Sequence, residues 1–353
     1  MLEFDLLGRR IGPGRPTFVI AEAGVNHNGD PELARQLVRA VRATGADCVK
    51  FQTFIAERVV TAAAPKANYQ LGTTDPAESQ LAMLQKLELP ESAYRELIAL
   101  AATEGLAFFS TPYNEEDVDF LTGLGIGAFK LASLSVVEPA FLRYVAQQGK
   151  PIILSTGMAT LEEVAAAVET MRTAGNEQIV LLQCTTNYPS RLADVNLRAM
   201  LTMRDACSVP VGYSDHTPGH TACIAAVALG ACVIEKHFTL DRTLPGPDHT
   251  TSCDPEEFTA LMREIRATEL LLGSAGKAPC EVERRNAIGM RRSIVARRPI
   301  ATGEILRPEM LAFKRPSTGI PPSQLEALVG RKAQCDIPAD ALVTWEMCGA
   351  SPI

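Results

Sequence analysis

Eight places along this chain carry side chains that could do chemistry. Short apolar runs each end in polar or ionisable residues: Glu22; Lys50 with Gln52; Ser110 with Thr111; Lys130 with Ser133; Ser155 with Thr156; Thr185 with Thr186; Ser214, Asp215 and His216; and Lys236 with His237. Lysine beside serine or threonine suits a phosphate or carboxylate, with the ammonium acting as a point charge. Lys50, Lys130 and Lys236 among these hydroxyls therefore predict an electropositive cup for a phosphorylated anion. His216 and His237 close two successive runs. Neighbouring parallel strands lie about 4.8 Å apart, so the two imidazoles either share one metal ion, with positions left open for water and a substrate oxygen, or form a structural hydrogen-bonding pair. Imidazole suits Mn²⁺ better than Mg²⁺. Glu22 is either a general acid/base or the ion-pair partner of a strand-end lysine. Cys184, closing LLQC, reads as a buried, inert thiol, because no His or Asn is spaced along the chain to activate it.

These groups meet only if the runs that carry them lie side by side. The runs span 17–22, 47–51, 106–110, 127–131, 151–155, 178–184, 209–213 and 232–237, and they alternate with amphipathic stretches such as 31–44, 91–104, 138–148, 160–174 and 254–272. Strands that are apolar throughout belong to a parallel sheet covered by helices. Eight βα units within about 270 residues predict a (β/α)8 TIM barrel, whose functional groups gather at the C-terminal ends of the strands. A doubly wound open sheet is the alternative. GRRIGPG precedes the first strand and predicts an N-terminal hairpin, since a phosphate loop needs a strand before it and a helix after it. The connection from Phe54 to about Pro90, containing APKANYQLGTTDPAESQ, is long enough to be a lid or binding loop.

The expected organisation is a barrel domain over 1–272, a linker over 273–290, and a small β-rich domain over 291–353 that opens with a hairpin across 291–306. Residues 284–315 hold nine basic and two acidic side chains in a chain of net charge −7. Only one aromatic, Phe313, stands in that basic stretch and the whole is acidic, which argues against nucleic acid. With 46% hydrophobic and 21% charged residues, the chain has the composition of a globular protein and not of a disordered one. No apolar run is long enough for a bilayer, and the first residues carry acidic groups where a secretory leader would not. Nine cysteines, an odd number with no CxxC pair, predict reduced thiols and a cytoplasmic protein.

The segments FVIAEAGVNHNG (18–29), VKFQTF (49–54), FSTP (109–112), LSTGMAT (154–160), CTTNYP (184–189), VGYSDHT (211–217) and EKHFTLDRTLPGPDH (235–249) resemble, in order, the sialic acid synthase family. That family comprises N-acetylneuraminate, legionaminate and pseudaminate synthases. KRPSTGI (314–320) is similar to the start of the family's C-terminal antifreeze-like (SAF) domain. The resemblance implies a transferase that condenses phosphoenolpyruvate with an open-chain N-acetylhexosamine, N-acetylmannosamine or a 2,4-diacetamido-trideoxyhexose, to give phosphate and a nine-carbon 2-keto acid. It implies that Lys50, Thr111, Lys130, Ser133, Ser155, Thr186 and Ser214 bind phosphoenolpyruvate. His216 and His237 would hold a divalent ion, Mn²⁺ with Mg²⁺ or Co²⁺ as alternatives, and Glu22 would handle the proton. Gln52, Tyr188 and Asp248 would touch the sugar, as would Arg315 reaching over from the other subunit of a domain-swapped homodimer. Where many N-acetylneuraminate synthases carry Lys-x-x-Ser-Gly-Glu, this chain has Leu134 and Ser135 in place of Gly-Glu, implying a less polar wall and a modified sugar. Two other readings compete: a Schiff-base aldolase working through a strand-end lysine, and a non-catalytic sugar-binding protein. Neither calls for the histidine pair.

Overall fold

All eight expected strands form, and the computed structural model, which describes residues 3–349, lays them in one parallel sheet. A two-stranded hairpin comes first, β1 (Phe4–Leu6) and β2 (Arg9–Ile11), as the GRRIGPG turn predicts. The parallel strands are β3 (Phe18–Gly24), β4 (Cys48–Thr53), β5 (Ala107–Pro112), β6 (Phe129–Leu131), β7 (Ile152–Ser155), β8 (Ile179–Cys184), β9 (Val211–Asp215) and β10 (Val233–His237). Their order is β5-β4-β3-β10-β9-β8-β7-β6, and β5 packs against β6 at the seam, which gives the nearly closed TIM-like barrel.

Side chains alternate across a strand, and this alternation separates two apolar layers. Val19, Ala21, Val49, Phe51, Phe108, Phe129, Leu131, Ile152, Leu154 and Leu181 face the surrounding helices. Phe18, Ile20, Cys48, Phe109, Ala128, Ile153, Val180, Leu182 and Val233 fill the interior together with Phe4, Leu6 and Ile11 of the hairpin, which packs on the barrel's lower end. The helices show why each forms where it does. In Pro31–Thr44, Asp30 caps the N-terminus by accepting from the Glu32 backbone N–H, proline stands in the first turn, and Gly45 ends the helix with φ 82°. Ala34, Leu37, Val38 and Val41 make its buried stripe.

The chain divides into two units between Gly273 and Ser274. In the second unit, β11 (Ser293–Ala296) pairs antiparallel with β12 (Leu311–Lys314). The hairpin expected within 291–306 is therefore not the pairing found. Ile300 bridges to Ile337 and Ile305 to Lys332, so the return half of the expected hairpin is engaged by the C-terminal stretch instead. Ile294, Ile300, Leu306, Leu311, Ile320, Leu328, Ile337 and Val343 form the core of this unit. Part of the stretch read as linker is a helix, Glu281–Met290. Glu283 Oε2 accepts from the Cys280 N–H at 2.9 Å and Arg285 pairs with Glu281. The helix buries none of its residues, so it lacks the apolar stripe by which a helix is read from sequence. No helix among the described residues is long and apolar enough to cross a membrane.

Candidate active site

The alternation that fills the barrel with Ile20, Cys48, Phe109, Ala128, Ile153, Leu182 and Val233 places the next inward residue of each strand above them. These are Glu22, Lys50, Thr111, Lys130, Ser155, Cys184 and Glu235, with Ser214 from β9 and His237 one step above Glu235. All of them line one cavity of about 450 Å³, together with Gln52, Ser133, Thr186, Tyr188, His216 and Asp248. Thirteen of the fourteen residues to which the resemblance gave a role thus converge on one space, whereas Ser110, Thr156, Thr185, Asp215 and Lys236, also named at the strand ends, lie outside its lining. The fourteenth, Arg315, is exposed on the C-terminal unit.

The floor of the cavity is a buried charge network. Lys50 Nζ donates to Thr111 Oγ1 at 2.9 Å and lies 2.8 Å from Glu22 Oε2 and 3.9 Å from Glu235 Oε2. Lys130 Nζ donates to Ser155 Oγ at 2.7 Å and to the Leu131 carbonyl, and stands 3.5 Å from Glu235 Oε1, which also accepts from Ser214 Oγ at 3.0 Å. Burial alone would raise the Glu235 pKa, but Lys130 and Lys50 outweigh it and hold this carboxylate well below the usual range. Burial wins at Glu22. With Lys50 only partly offsetting it and Glu235 adding to it, the pKa is pushed up to about 7. Burial lowers the pKa of Lys130, while Lys50 is raised because Glu22 and Glu235 outweigh its burial.

Two expectations need correction here. Lys236 is not part of the cup. It has the outward parity of β10, and its Nζ donates to Asp215 Oδ2 at 2.6 Å and to the Thr217 carbonyl, forming a buried pair behind the barrel wall. The carboxylate that does face inward, Glu235, went unnoticed although it stands two residues before His237, and period-two counting from that histidine finds it. The cup is accordingly not simply electropositive: two lysines are balanced by two carboxylates, one of which takes up a proton near neutrality. The reason given for an inert Cys184 also fails in three dimensions. Its Sγ lines the cavity 3.9 Å from His216 Nδ1, a neighbour supplied by the adjacent strand end, and that histidine outweighs burial to lower the thiol pKa.

Above Ser155, the backbone of Gly157 runs between two hydroxyls. Its N–H donates to Ser133 Oγ at 2.9 Å, and a Cβ on residue 157 would lie 2.3 Å from Thr186 Oγ1 and 3.0 Å from Ser133 Oγ. Gly157→Ala must therefore push both hydroxyls aside. Misplacing a group by about 1 Å costs on the order of 10²-fold in rate where that group binds substrate, so with Ser133 and Thr186 in the role the resemblance implies, the expected result is a loss of that order in kcat/KM, read from initial-rate kinetics.

The imidazoles of His216 and His237 stand with ring centroids 5.3 Å apart. His216 Nδ1 lies 2.9 Å from the Thr185 carbonyl, so it serves as the donor and leaves the other nitrogen free. His237 Nδ1 is buried without a hydrogen-bond partner, and Asp248 Oδ2 is 3.9 Å away. Burial, reinforced by His216 and Lys50, drives the His237 pKa well below its ordinary value, so the ring is neutral with its lone pair available. These groups fit a divalent ion. Among the described residues, no set of three or more His, Cys, Asp or Glu is arranged to hold one alone, so the pair would bind it with positions left for other ligands.

A polar chain leads outward from Glu22. Gln52 Nε2 donates to Glu22 Oε1 at 3.0 Å, and Gln52 Oε1 accepts from Tyr113 Oη at 2.9 Å, which fixes the amide in one orientation. Burial raises the Asp248 pKa to about 6. The long connection after β4 supplies Phe54, Val59, Val60, Tyr69, Gln70 and Met83 to the wall, as a binding loop should. Leu134, 38% exposed, faces the cavity beside Met158, whereas Ser135 is buried and lies outside the lining. Tyr69, Gln70 and Tyr113 were not singled out beforehand. No periodicity marks them, because Tyr69 and Gln70 sit in a six-residue helix too short to show one and Tyr113 follows the end of β5.

The NeuB family matches residues 37–277 and the SAF domain matches 291–347. Over 339 residues the chain is 44% identical to N,N'-diacetyllegionaminic acid synthase of Legionella pneumophila, covering 95% of both sequences. It is 34% identical over 355 residues to human N-acetylneuraminate-9-phosphate synthase, covering 98% of this chain and 97% of that one. Among solved structures, the N-acetylneuraminic acid (sialic acid) synthetase of Leptospira borgpetersenii, crystallised with citrate, superimposes with a TM-score of 0.71 at 31% identity over 80% of this chain and 94% of that one. The family match spans most of the barrel that carries the cavity, and so the resemblance first drawn from scattered motifs stands: this chain is a member of the NeuB family, with a SAF domain following its barrel.

Proposed function

We propose that the chain condenses phosphoenolpyruvate with the open-chain aldehyde of an acylamino hexose, giving phosphate and a nine-carbon 2-keto acid. The observation that carries this reading is the single cavity in which Lys50, Lys130 and five hydroxyls adjoin Glu22, His216 and His237. The new bond joins C3 of phosphoenolpyruvate to the aldehyde carbon, the aldehyde oxygen takes a proton, water adds at C2 and gives up one proton, and phosphate leaves with its C–O electron pair as the C2 hydroxyl loses its proton to become the keto oxygen. Lys50, Lys130, Thr111, Ser133, Ser155, Thr186 and Ser214 bind the phosphoenolpyruvate, with Glu235 3.5 Å from Lys130 Nζ. Preorganised donors of this kind work without reorganising during the reaction. Glu22, with a pKa near neutrality, is the group able to give or take a proton at the reacting carbon or oxygen. Gln52, Tyr188 and Asp248 orient the sugar. His216 and His237 would hold a divalent ion, Mn²⁺ in this proposal, which would supply Lewis-acid polarisation of the aldehyde and a site for the attacking water.

The charge state of Glu22 sets a pH dependence. Below about 7 the carboxyl is protonated and neutral; above it, the carboxylate competes with the ligand for Lys50. Phosphoenolpyruvate affinity should therefore fall as pH rises from 6 to 8, and the ratio of wild-type to Glu22→Gln affinity, in which the ligand's own ionisation cancels, should fall by about tenfold at most. A ratio flat across that range would remove Glu22 as the titrating group.

The apolar wall at Leu134 and Met158 supports the 2,4-diacetamido-trideoxyhexose over N-acetylmannosamine, because an extra acetyl and a methyl group in place of hydroxyls gain from apolar contact. The name of the Legionella pneumophila relative supports the same choice. The test is kcat/KM with both sugars in parallel, products identified by mass: a preference for the diacetamido sugar is expected, and a preference for N-acetylmannosamine would reverse the assignment.

We further infer a homodimer in which Arg315 of each subunit reaches the sugar site of the other, supported by the family resemblance at KRPSTGI and by the exposure of Arg315. Mixed dimers of His237→Ala and Arg315→Ala subunits should then recover up to about a quarter of wild-type activity, although each variant alone is inactive. No recovery on mixing would exclude the exchange. A reducing, cytoplasmic location is supported by nine unpaired cysteines, seven of them buried.

A further inference from the structure

We propose that Tyr69 is a positioning residue: it seats the long β4 loop on Tyr188 and through that ring fixes the orientation of His237 and braces His216, which the Thr185 carbonyl also holds. The inference rests on the functional reading above for its consequence in turnover, and on geometry alone for its physical content.

The loop is braced close to its root. Val25, Phe54, Met83 and Leu87 form a small apolar cluster with Val59, Leu84 and Tyr113 packed on it. Glu88 Oε1 accepts from the Ala56 N–H at 2.7 Å. Farther out, the buried Lys66 Nζ donates to Thr74 Oγ1 at 3.0 Å and to the Asp75 carbonyl at 2.8 Å, with Glu78 Oε2 at 3.5 Å, folding 66–78 into one turn. The short helix Asn68–Thr73 in this turn reaches across to loops that follow other strands. Tyr69 packs on Tyr188 with ring centroids 4.8 Å apart at 35°, and Thr73 Oγ1 donates to the Pro247 carbonyl at 3.3 Å.

Tyr188 is in turn the one aromatic ring against both imidazoles among the described residues. Its centroid lies 4.1 Å from that of His216 and 5.7 Å, edge-on, from that of His237. The side chain of His237 makes no hydrogen bond through Nδ1 that would orient it, and so packing against Tyr188 and His216 sets its rotation. A side chain held by packing is only as fixed as the ring that packs on it. Tyr69 supplies the outer face of that ring. The contact is made by the aromatic faces, while the Tyr69 hydroxyl only accepts a long bond, 3.4 Å, from Gln70 Nε2. Phenylalanine should therefore serve at position 69, and alanine should not. By contrast, Lys130 and its partners Ser155, Glu235 and Ser214 take no contact from the loop, so phosphoenolpyruvate binding should be indifferent to the change.

The test uses the full chain carrying ¹³C-labelled histidine, without added metal, as wild type, Tyr69→Phe and Tyr69→Ala. The chain has five histidines, so the imidazole resonances of His216 and His237 are separable from those of His27, His220 and His249. In Tyr69→Ala the His216 and His237 resonances should shift or broaden while those of His27 and His220 stay in place; in Tyr69→Phe all five should hold. Unchanged His216 and His237 resonances in Tyr69→Ala would overturn the proposal whatever the chain catalyses. Calorimetric Mn²⁺ titration and kinetics on the same variants read the consequence. We expect roughly tenfold weaker Mn²⁺ binding and a kcat lowered tenfold or more in Tyr69→Ala, with KM for phosphoenolpyruvate within twofold of wild type and Tyr69→Phe restored on every measure. An equal rise in both substrates' KM with unchanged Mn²⁺ binding would mean only that the loop covers the cavity, and would equally overturn the positioning role. Failure of the wild type to release phosphate would count against the function, and not against the histidine shifts.

Discussion

Lys130→Met should abolish measurable turnover with phosphoenolpyruvate and lower stability at the same time, and a second substitution should separate the two effects. Lys130 is buried, donates to Ser155, and faces Glu235 at 3.5 Å. Deleting one member of a buried ion pair costs about 3–5 kcal/mol because the other is stranded. Lys50, 3.9 Å from the same carboxylate, and the Ser214 hydroxyl remain, which places the expected loss near the lower figure. The double variant Lys130→Met/Glu235→Gln removes the stranded charge and should recover most of the lost stability in denaturant unfolding. It should not recover activity, because on the proposed role the charge-assisted bond from Lys130 to phosphoenolpyruvate is still missing, and kcat/KM should stay down by about 10²-fold or more. Recovery of activity in the double variant would mean that Lys130 serves only to neutralise Glu235.

His237→Ala should show the opposite pattern, a large loss of kcat with little change in stability. The ring is buried and neutral, and its Nδ1 has no hydrogen-bond partner. Such an unsatisfied group costs about 1–3 kcal/mol in the folded protein. Its removal offsets the packing lost against Tyr188, and the net effect should lie within about 1 kcal/mol. If the imidazole contributes to the charge stabilisation proposed for it, kcat should fall by about 10²–10³-fold. A stability loss above 3 kcal/mol with kcat unchanged would make His216 and His237 the structural pair that the residues alone also allowed.

The barrel was legible because its physics is repetitive. A strand covered on both faces must be apolar along its length, and it stops being so where the interior opens to substrate. Phe18 to Ile20 is followed by Glu22, and Ile153 by Ser155. Reading the ends without the side-chain alternation admitted Lys236 and missed Glu235, although His237 fixes the parity of both. What lay beyond the strands was harder for a different reason. Tyr69 reaches Tyr188, 119 positions away, from a six-residue helix too short for periodicity to encode the contact. The proximity of Cys184 to His216 follows from the pairing of β8 with β9, which spacing along the chain does not show. Helix Glu281–Met290 escaped because its apolar residues, Val282, Ile288 and Met290, are exposed and do not line up on one face, and the pairing of β11 escaped because its partner lies beyond the turn that seemed to close it.

The most direct measurement is phosphate release from phosphoenolpyruvate by the full chain, with and without an acylamino sugar, each after chelation and after Mn²⁺ is returned. Release that requires both the sugar and the metal, with one phosphate formed per nine-carbon keto acid, is the predicted result. No release with either sugar, or borohydride trapping of pyruvate on a lysine without metal, would contradict the account.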